Sequence, residues 1–203
     1  MPQAWANFRP CALENKRGKL TPVSELAPGF LVAVPQMGDP NFQRSVVLML
    51  EHGEGGAMGI IVNRPTTLKL TAVAEGHGFE IAEGYEKAIV FVGGPVEPER
   101  GFVLHDRAEV PEAVPLFDDL YVSGSLESLE ILLKGSPDHF RLCLGYAGWG
   151  PGQLEKELRE GTWITASPSS RHVLGTPARQ AWDTVLREMG IDPVTLLQGG
   201  GLH

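Results

Sequence analysis

Three segments, two of them glycine-bearing, carry the groups best suited to hold a ligand. Asn63-Arg64-Pro65 offers a guanidinium fork able to grip a carboxylate or phosphate, and Pro65 keeps Arg64 out of the helical region. In Gly93-Gly94-Pro95-Val96, successive backbone amides without a Cβ could converge on one oxygen as an anion-binding nest. Gly145-Tyr146-Ala147-Gly148-Trp149-Gly150-Pro151-Gly152-Gln153-Leu154-Glu155 joins a strand end, a glycine loop with two aromatics, and a helix start. There Tyr146, Trp149 and Gln153 stand beside amide donors that favour anions. A fourth segment, Gly38-Asp39-Pro40-Asn41-Phe42 followed by Arg44-Ser45, is a turn in which Asn41 can bond backbone two residues on. Asn41 and Arg44 could line a shallow polar site. Each segment also has a plain structural reading: a connecting turn, an internal ion pair, backbone packed on backbone, or Trp149 plugging the core.

Signals for covalent or acid–base catalysis are thin. Val122-Ser123-Gly124-Ser125 lacks the leading glycine of a nucleophile elbow, and Gly93-Gly94 matches neither a dinucleotide fingerprint nor a phosphate loop. Glu51-His52 and His105-Asp106 are neighbours on strands and point to opposite faces, so neither is a local dyad. His139 and His172 read as solvated loop residues. A hydrolase or transferase would have to draw on His105, Asp106, Gln153 and Glu157. No His/Cys cluster has zinc spacing, and no metal or cofactor is expected.

Apolar periodicity supplies the elements that must position these groups. Short apolar runs predict strands at Phe30–Val34, Arg44–Leu50, Met58–Val62, Ala88–Val92, Gly101–His105, Leu120–Ser123, His139–Gly145 and Thr162–Thr165. Gly53-Glu54-Gly55-Gly56 closes a hairpin between the second and third. A charged, proline-containing loop is expected after His105, through Pro115. Helices are predicted over Thr66–Ala74, from Ser125 to Gly135 with Ser125 as the cap, over Gln153–Arg159 closed by Gly161, and from Thr176-Pro177 to Gly190. In the third of these, Glu155–Arg159 and Lys156–Glu160 form outward pairs. The last long helix should bury Trp182, Val185, Leu186 and Met189, with a short helix after Asp192-Pro193. Near-continuous apolar strands mean that both sheet faces are covered or that the sheet folds back on itself. The expected class is α+β: a single domain over residues 29–203, with a strongly curved mixed sheet and helices packed outside. Residues 1–28 form an extension, with one helical turn near Val23-Ser24-Glu25-Leu26.

The 203 residues carry 17 Lys+Arg against 25 Asp+Glu, a net charge of −8. That balance disfavours nucleic-acid binding, and no helix-turn-helix with a basic second helix is visible. No apolar run of about 18 residues exists, and the N-terminus lacks an apolar signal core, so a cytoplasmic, membrane-free protein is expected. The two cysteines, Cys11 and Cys143, read as free thiols in a reducing compartment.

Five blocks, in order, resemble the AlgH/YqgE family of bacterial proteins. They are Leu31-Val32-Ala33-Val34-Pro35-Gln36-Met37, Asp39-Pro40-Asn41-Phe42-Gln43-Arg44-Ser45-Val46, Gly56 to Pro65, Phe91 to Val96, and Gly145 to Glu155. The resemblance runs from about Pro28 to the C-terminus. It implies a bifurcated sheet folded into a pseudo-barrel and brings a label of transcriptional regulator, but no catalytic residues. The expectation is a non-enzymatic binding or regulatory module for an anionic or polar small molecule or a protein partner. Its site would be Asn63, Arg64, Gly93, Gly94, Tyr146, Trp149 and Gln153. An enzyme with an unrecognised acid–base set and a DNA-binding regulator are the alternatives.

Overall fold

Short, mostly apolar runs build ten strands among the described residues, and what those strands bury on each side explains why the sheet curls. The computed structural model describes residues 26–193. Most of the 1–28 extension, with Cys11 and the turn expected near Val23, and the chain after Pro193 lie outside the described residues. The strands are β1 (Gly29–Ala33), β2 (Val46–Gly53), β3 (Gly56–Ile61), β4 (Pro65–Lys69), β5 (Ile89–Val92), β6 (Val96–His105), β7 (Val114–Phe117), β8 (Leu120–Ser123), β9 (Phe140–Trp149) and β10 (Trp163–Ala166). Among the described residues four α-helices accompany them: α1 (Leu70–His77), α2 (Leu126–Leu133), α3 (Gln153–Arg159) and α4 (Ala178–Glu188). Among the described residues, no helix is long and apolar enough to cross a membrane.

The main path of the sheet runs β10-β1-β2-β3-β9-β6-β8-β7, antiparallel throughout. β9 is its seam. One edge of β9 carries β6, with Phe102 opposite Cys143 and Val96 opposite Tyr146. The other edge is shared: β3 takes the C-terminal half, with Gly59 opposite Ala147, and β5 takes the N-terminal half in parallel, with Phe91 opposite Cys143. β4 pairs with β5 alone. The sheet therefore forks where β3 and β5 part company along β9.

Strand period two sorts the core into three groups. Phe30, Val32, Val46, Leu48, Ile60 and Val62 from one limb meet Phe102, Leu104, Leu120, Val122 and Cys143 from the other, closed by Trp182, Val185 and Leu186 of α4. The intervening residues face outward from each limb. Leu31, Ala33, Val47, Met49 and Ile61 pack under Leu154 of α3, while Val90, Val103 and Leu142 pack under α1 and α2. Covering both faces is why the strands read as unbroken apolar runs. It is a curled single α+β domain, and Cys143 stands opposite Leu142 as alternation requires.

Several expected elements need correction. Thr66–Lys69 is strand, because β4 pairs with β5; the helix starts only at Leu70 and ends at Gly78, whose φ is +73°. β7 occupies part of the expected loop before Leu120, its Pro115 accommodated where no further strand demands an amide. Met189 is 38% exposed, since α4 ends before it turns inward. His172 is buried within a π turn over Arg171–Gly175, not solvated. Glu155 leaves Arg159 and faces His52 at 2.8 Å, whereas Lys156 and Glu160 do pair, at 3.8 Å. Ser125 caps α2 as expected, accepting from the Ser128 amide.

Candidate functional site

The first group of expected ligand residues is tied to the 38–45 loop. Arg64 Nη1 donates to the carbonyls of Pro40 and Asn41, and Nη2 to that of Gln43 at 3.1 Å. Partial burial lowers the guanidinium from its ordinary value, and Asp39 opposes that shift. Asn63 bridges the same loop to β2: Oδ1 accepts from the Val46 amide and Nδ2 donates to the Arg44 carbonyl, both at 2.8 Å. Within the loop, Asp39 Oδ1 accepts from the Asn41 amide, so Asp39 rather than Asn41 makes the side-chain turn. Arg44 pairs with Asp183 at 2.8 Å and lies over the Trp182 ring.

Gly93 and Gly94 sit at the fork of the sheet. The Gly93 amide donates to Leu144 O and its carbonyl accepts from the Ile61 amide, each at 2.7 Å, so the residue after β5 bonds to β9 on one side and β3 on the other. A Cβ on Gly93 would stand 2.2 Å from Gly145 O, and one on Gly94 would stand 2.1 Å from the Tyr146 carbonyl carbon. What approaches these glycines is the backbone of β9. Tyr146, beside them, donates its hydroxyl to Glu97 at 3.2 Å.

The third group centres on Glu157. Its Oε2 accepts from the indoles of Trp149 (2.9 Å) and Trp163 (2.8 Å), and its Oε1 accepts from Gln153 Nε2 at 2.9 Å. Gln153 Oε1 in turn accepts from the Gly150 amide. Phe42 stacks on Trp149 and meets Trp163 edge-on, linking this group to the loop that Arg64 holds. The expected segments are thus joined, but through bonds to one another. The donors of Arg64 and Gln153 and both indoles already have protein acceptors.

The expected acid–base candidates have separate partners. His105 is fully buried, with Nε2 2.9 Å from Ser123 Oγ and Nδ1 accepting from the Arg107 amide. Burial drives it from 6.5 to about 4, so the ring is neutral near neutral pH. Asp106 pairs with His139 at 2.6 Å, and Gln153 and Glu157 belong to the indole group. Among the described residues, no group of three or more His, Cys, Asp or Glu is placed to hold a metal ion.

A residue absent from the expected set has the geometry of an anion site. Arg141, on β9, is only 8% exposed. Its Nη1 donates to the Val62 carbonyl, and its Cζ lies 4.3 Å from the centroid of the Phe91 ring. Among the described residues no carboxylate lies within 4.0 Å of it, and no other hydrogen bond of its guanidinium is seen. Arg141 also lines an opening toward solvent. The opening is a cleft of about 270 Å³ at the N-terminal ends of β5 and β9, between the 3-10 turns Tyr85–Lys87 and Pro137–His139. Desolvation holds the Arg141 guanidinium below its ordinary value, yet it stays charged at neutral pH. The one hint in the sequence was an arginine interrupting the apolar run Phe140-Arg141-Leu142-Cys143-Leu144.

Comparison with known proteins places this geometry in a family. A family model described as AlgH-like matches residues 30–194. A UPF0301 protein of Myxococcus xanthus is 49% identical over 181 residues, covering 89% of this chain and all of that protein. Another from Anaeromyxobacter sp. (strain K) is 44% identical, covering 87% of this chain and 94% of that one. The solution structure of the AlgH protein from Pseudomonas aeruginosa matches with a TM-score of 0.69 and 31% identity, over 92% of this chain and all of that one. A crystal structure of a Corynebacterium diphtheriae protein matches at 0.67 and 26% identity, over 81% and 87% of the two chains. With its forked, curled sheet and the sequence blocks that build the fork, the chain belongs to the AlgH/YqgE family.

Proposed function

We propose that this protein is a binding module for a small anion, held by Arg141 in the cleft beside β5 and β9. The observation that carries the reading is an arginine only 8% exposed, whose guanidinium has one backbone carbonyl as its hydrogen-bond partner. A buried cation without a counter-charge is costly, and an anion entering the cleft would offset that cost. Lys87 and Arg141 against Asp138 give the lining a net positive charge within a chain of net charge −8. Arg64, by contrast, has three carbonyls already, and a ligand there would have to displace them.

Thermal unfolding in phosphate, acetate and benzoate tests the reading. At least one anion should raise Tm of the wild type, the rise should vanish in Arg141→Gln, and it should persist in Arg64→Ala despite a lower starting Tm. A rise that survives Arg141→Gln and disappears in Arg64→Ala would move the site to the 38–45 loop and refute the proposal.

A further inference from the structure

The cleft also constrains what kind of anion it takes, an inference that rests on the binding reading above. Because Nη1 is committed to Val62 O, the free side of Arg141 is its Nε–Nη2 edge, which presents two parallel N–H donors. That fork matches the two oxygens of a carboxylate held side-on. Beyond the fork, Leu70, Ile89, Phe91, Leu142 and Leu174 contribute apolar surface to a lining that is polar and apolar in about equal measure. The polar groups stand at the rim, where Lys87 and Asp138 are both exposed and of opposite sign, leaving Arg141 as the one uncompensated charge of the lining. A single uncompensated positive charge favours a monoanion above a multiply charged phosphate. The lining contains one glycine, Gly84, so it offers no run of converging amides of the kind that cradles phosphate. Size narrows the class further. A cavity of about 150 Å³ can hold benzene, so a cleft of about 270 Å³ has room for one ring plus a carboxylate.

We propose that the cleft binds an organic monocarboxylate with a compact apolar body of about one ring, its carboxylate clamped by the Nε–Nη2 edge of Arg141 and its body against Phe91, Ile89 and Leu174.

The test is calorimetric titration of the full chain with benzoate, acetate, inorganic phosphate and the dianion terephthalate. Benzoate should bind at least about tenfold more tightly than the other three, and Arg141→Gln should weaken it by at least about tenfold. Leu174→Trp, which narrows the cleft without touching the cation, should weaken benzoate more than acetate and supplies the test if Arg141→Gln fails to fold. Phosphate binding as tightly as benzoate, with both lost in Arg141→Gln, would overturn the ligand class while leaving the anion site standing. Failure of every anion to bind in an Arg141-dependent way would overturn both. Benzoate binding unaffected by either variant would place it elsewhere and refute the inference.

Discussion

Replacing Glu157 offers a sharp check on how the end of β9, expected from the sequence as a loop but strand through Trp149, is held against α3 and β10. One carboxylate serves three donors, two of them indole N–H groups on side chains only 6% (Trp149) and 5% (Trp163) exposed. Glu157→Ala strands both indoles, and a buried donor left unpaired costs about 1–3 kcal/mol. The third bond, from exposed Gln153, adds little because water replaces it. Water entering the vacated space offsets part of the cost, so the loss should be about 2–4 kcal/mol in urea unfolding. Glu157→Gln is more informative than its size suggests. Its single oxygen can serve the indoles, but its amide then meets the Gln153 amide, donor against donor. Gln153 cannot flip without losing the Gly150 amide. The two indoles then trade a charged acceptor for a neutral one, and the cost should be about 1–2 kcal/mol. The decisive measurement is a double-mutant cycle with Trp163→Phe, which removes one stranded donor. Glu157→Ala should cost about 1–2 kcal/mol less in that background than in the wild type. Additivity within about 0.5 kcal/mol would show that the carboxylate does not satisfy these indoles, and the account of how this strand end is held would fall.

Two further outcomes follow from buried groups elsewhere. Gly93→Ala places a methyl 2.2 Å from Gly145 O, where backbone must move, so the loss should exceed about 3 kcal/mol; Gly53→Ala, with nothing within 4 Å, should cost about 1 kcal/mol or less on the same urea curves. His105 is held below its unfolded value, so below about pH 6.5 the unfolded chain takes up a proton that the folded chain refuses. Stability is therefore full above that pH and falls as pH drops toward about 4, by roughly 3 kcal/mol at the limit. Unfolding curves at several pH values for wild type and His105→Gln should diverge over that window; parallel curves would contradict a neutral, buried ring.

Much of the architecture was legible because period two survives in the strands. β1, β2, β3, β5, β8 and α3 fall close to where apolar runs and their glycine or proline ends put them. The failures have physical causes. Thr66–Lys69 is mostly polar and mostly exposed, so nothing in its own pattern separates a strand end from a first helical turn; pairing with β5 decides it. β7 carries Pro115 and pairs only with β8, so its sequence looks like loop. His172 is buried by packing of the π turn against Phe30, a long-range contact invisible to local polarity.

The candidate site shows a deeper ambiguity. Gly93, Gly94 and Gly145 were conspicuous because glycine marks close approach, but a sequence does not say what approaches. Here the position of each missing Cβ answers the question: it lies inside another backbone segment, not in open space. The fork requires this, since β3 and β5 can share one edge of β9 only where Gly93 bonds to both sides with no side chain between. Arg64, Asn63 and Glu157 then brace the loops that surround the fork, and their donors and acceptors are consumed in doing so. Arg141 presents the reverse pattern. It sits in an apolar run with no polar neighbour to advertise it, and its sequence context says only that a cation occupies a buried strand. Its single carbonyl partner distinguishes it from Arg64: one guanidinium completes the fold, and the other is left with a fork to offer a ligand.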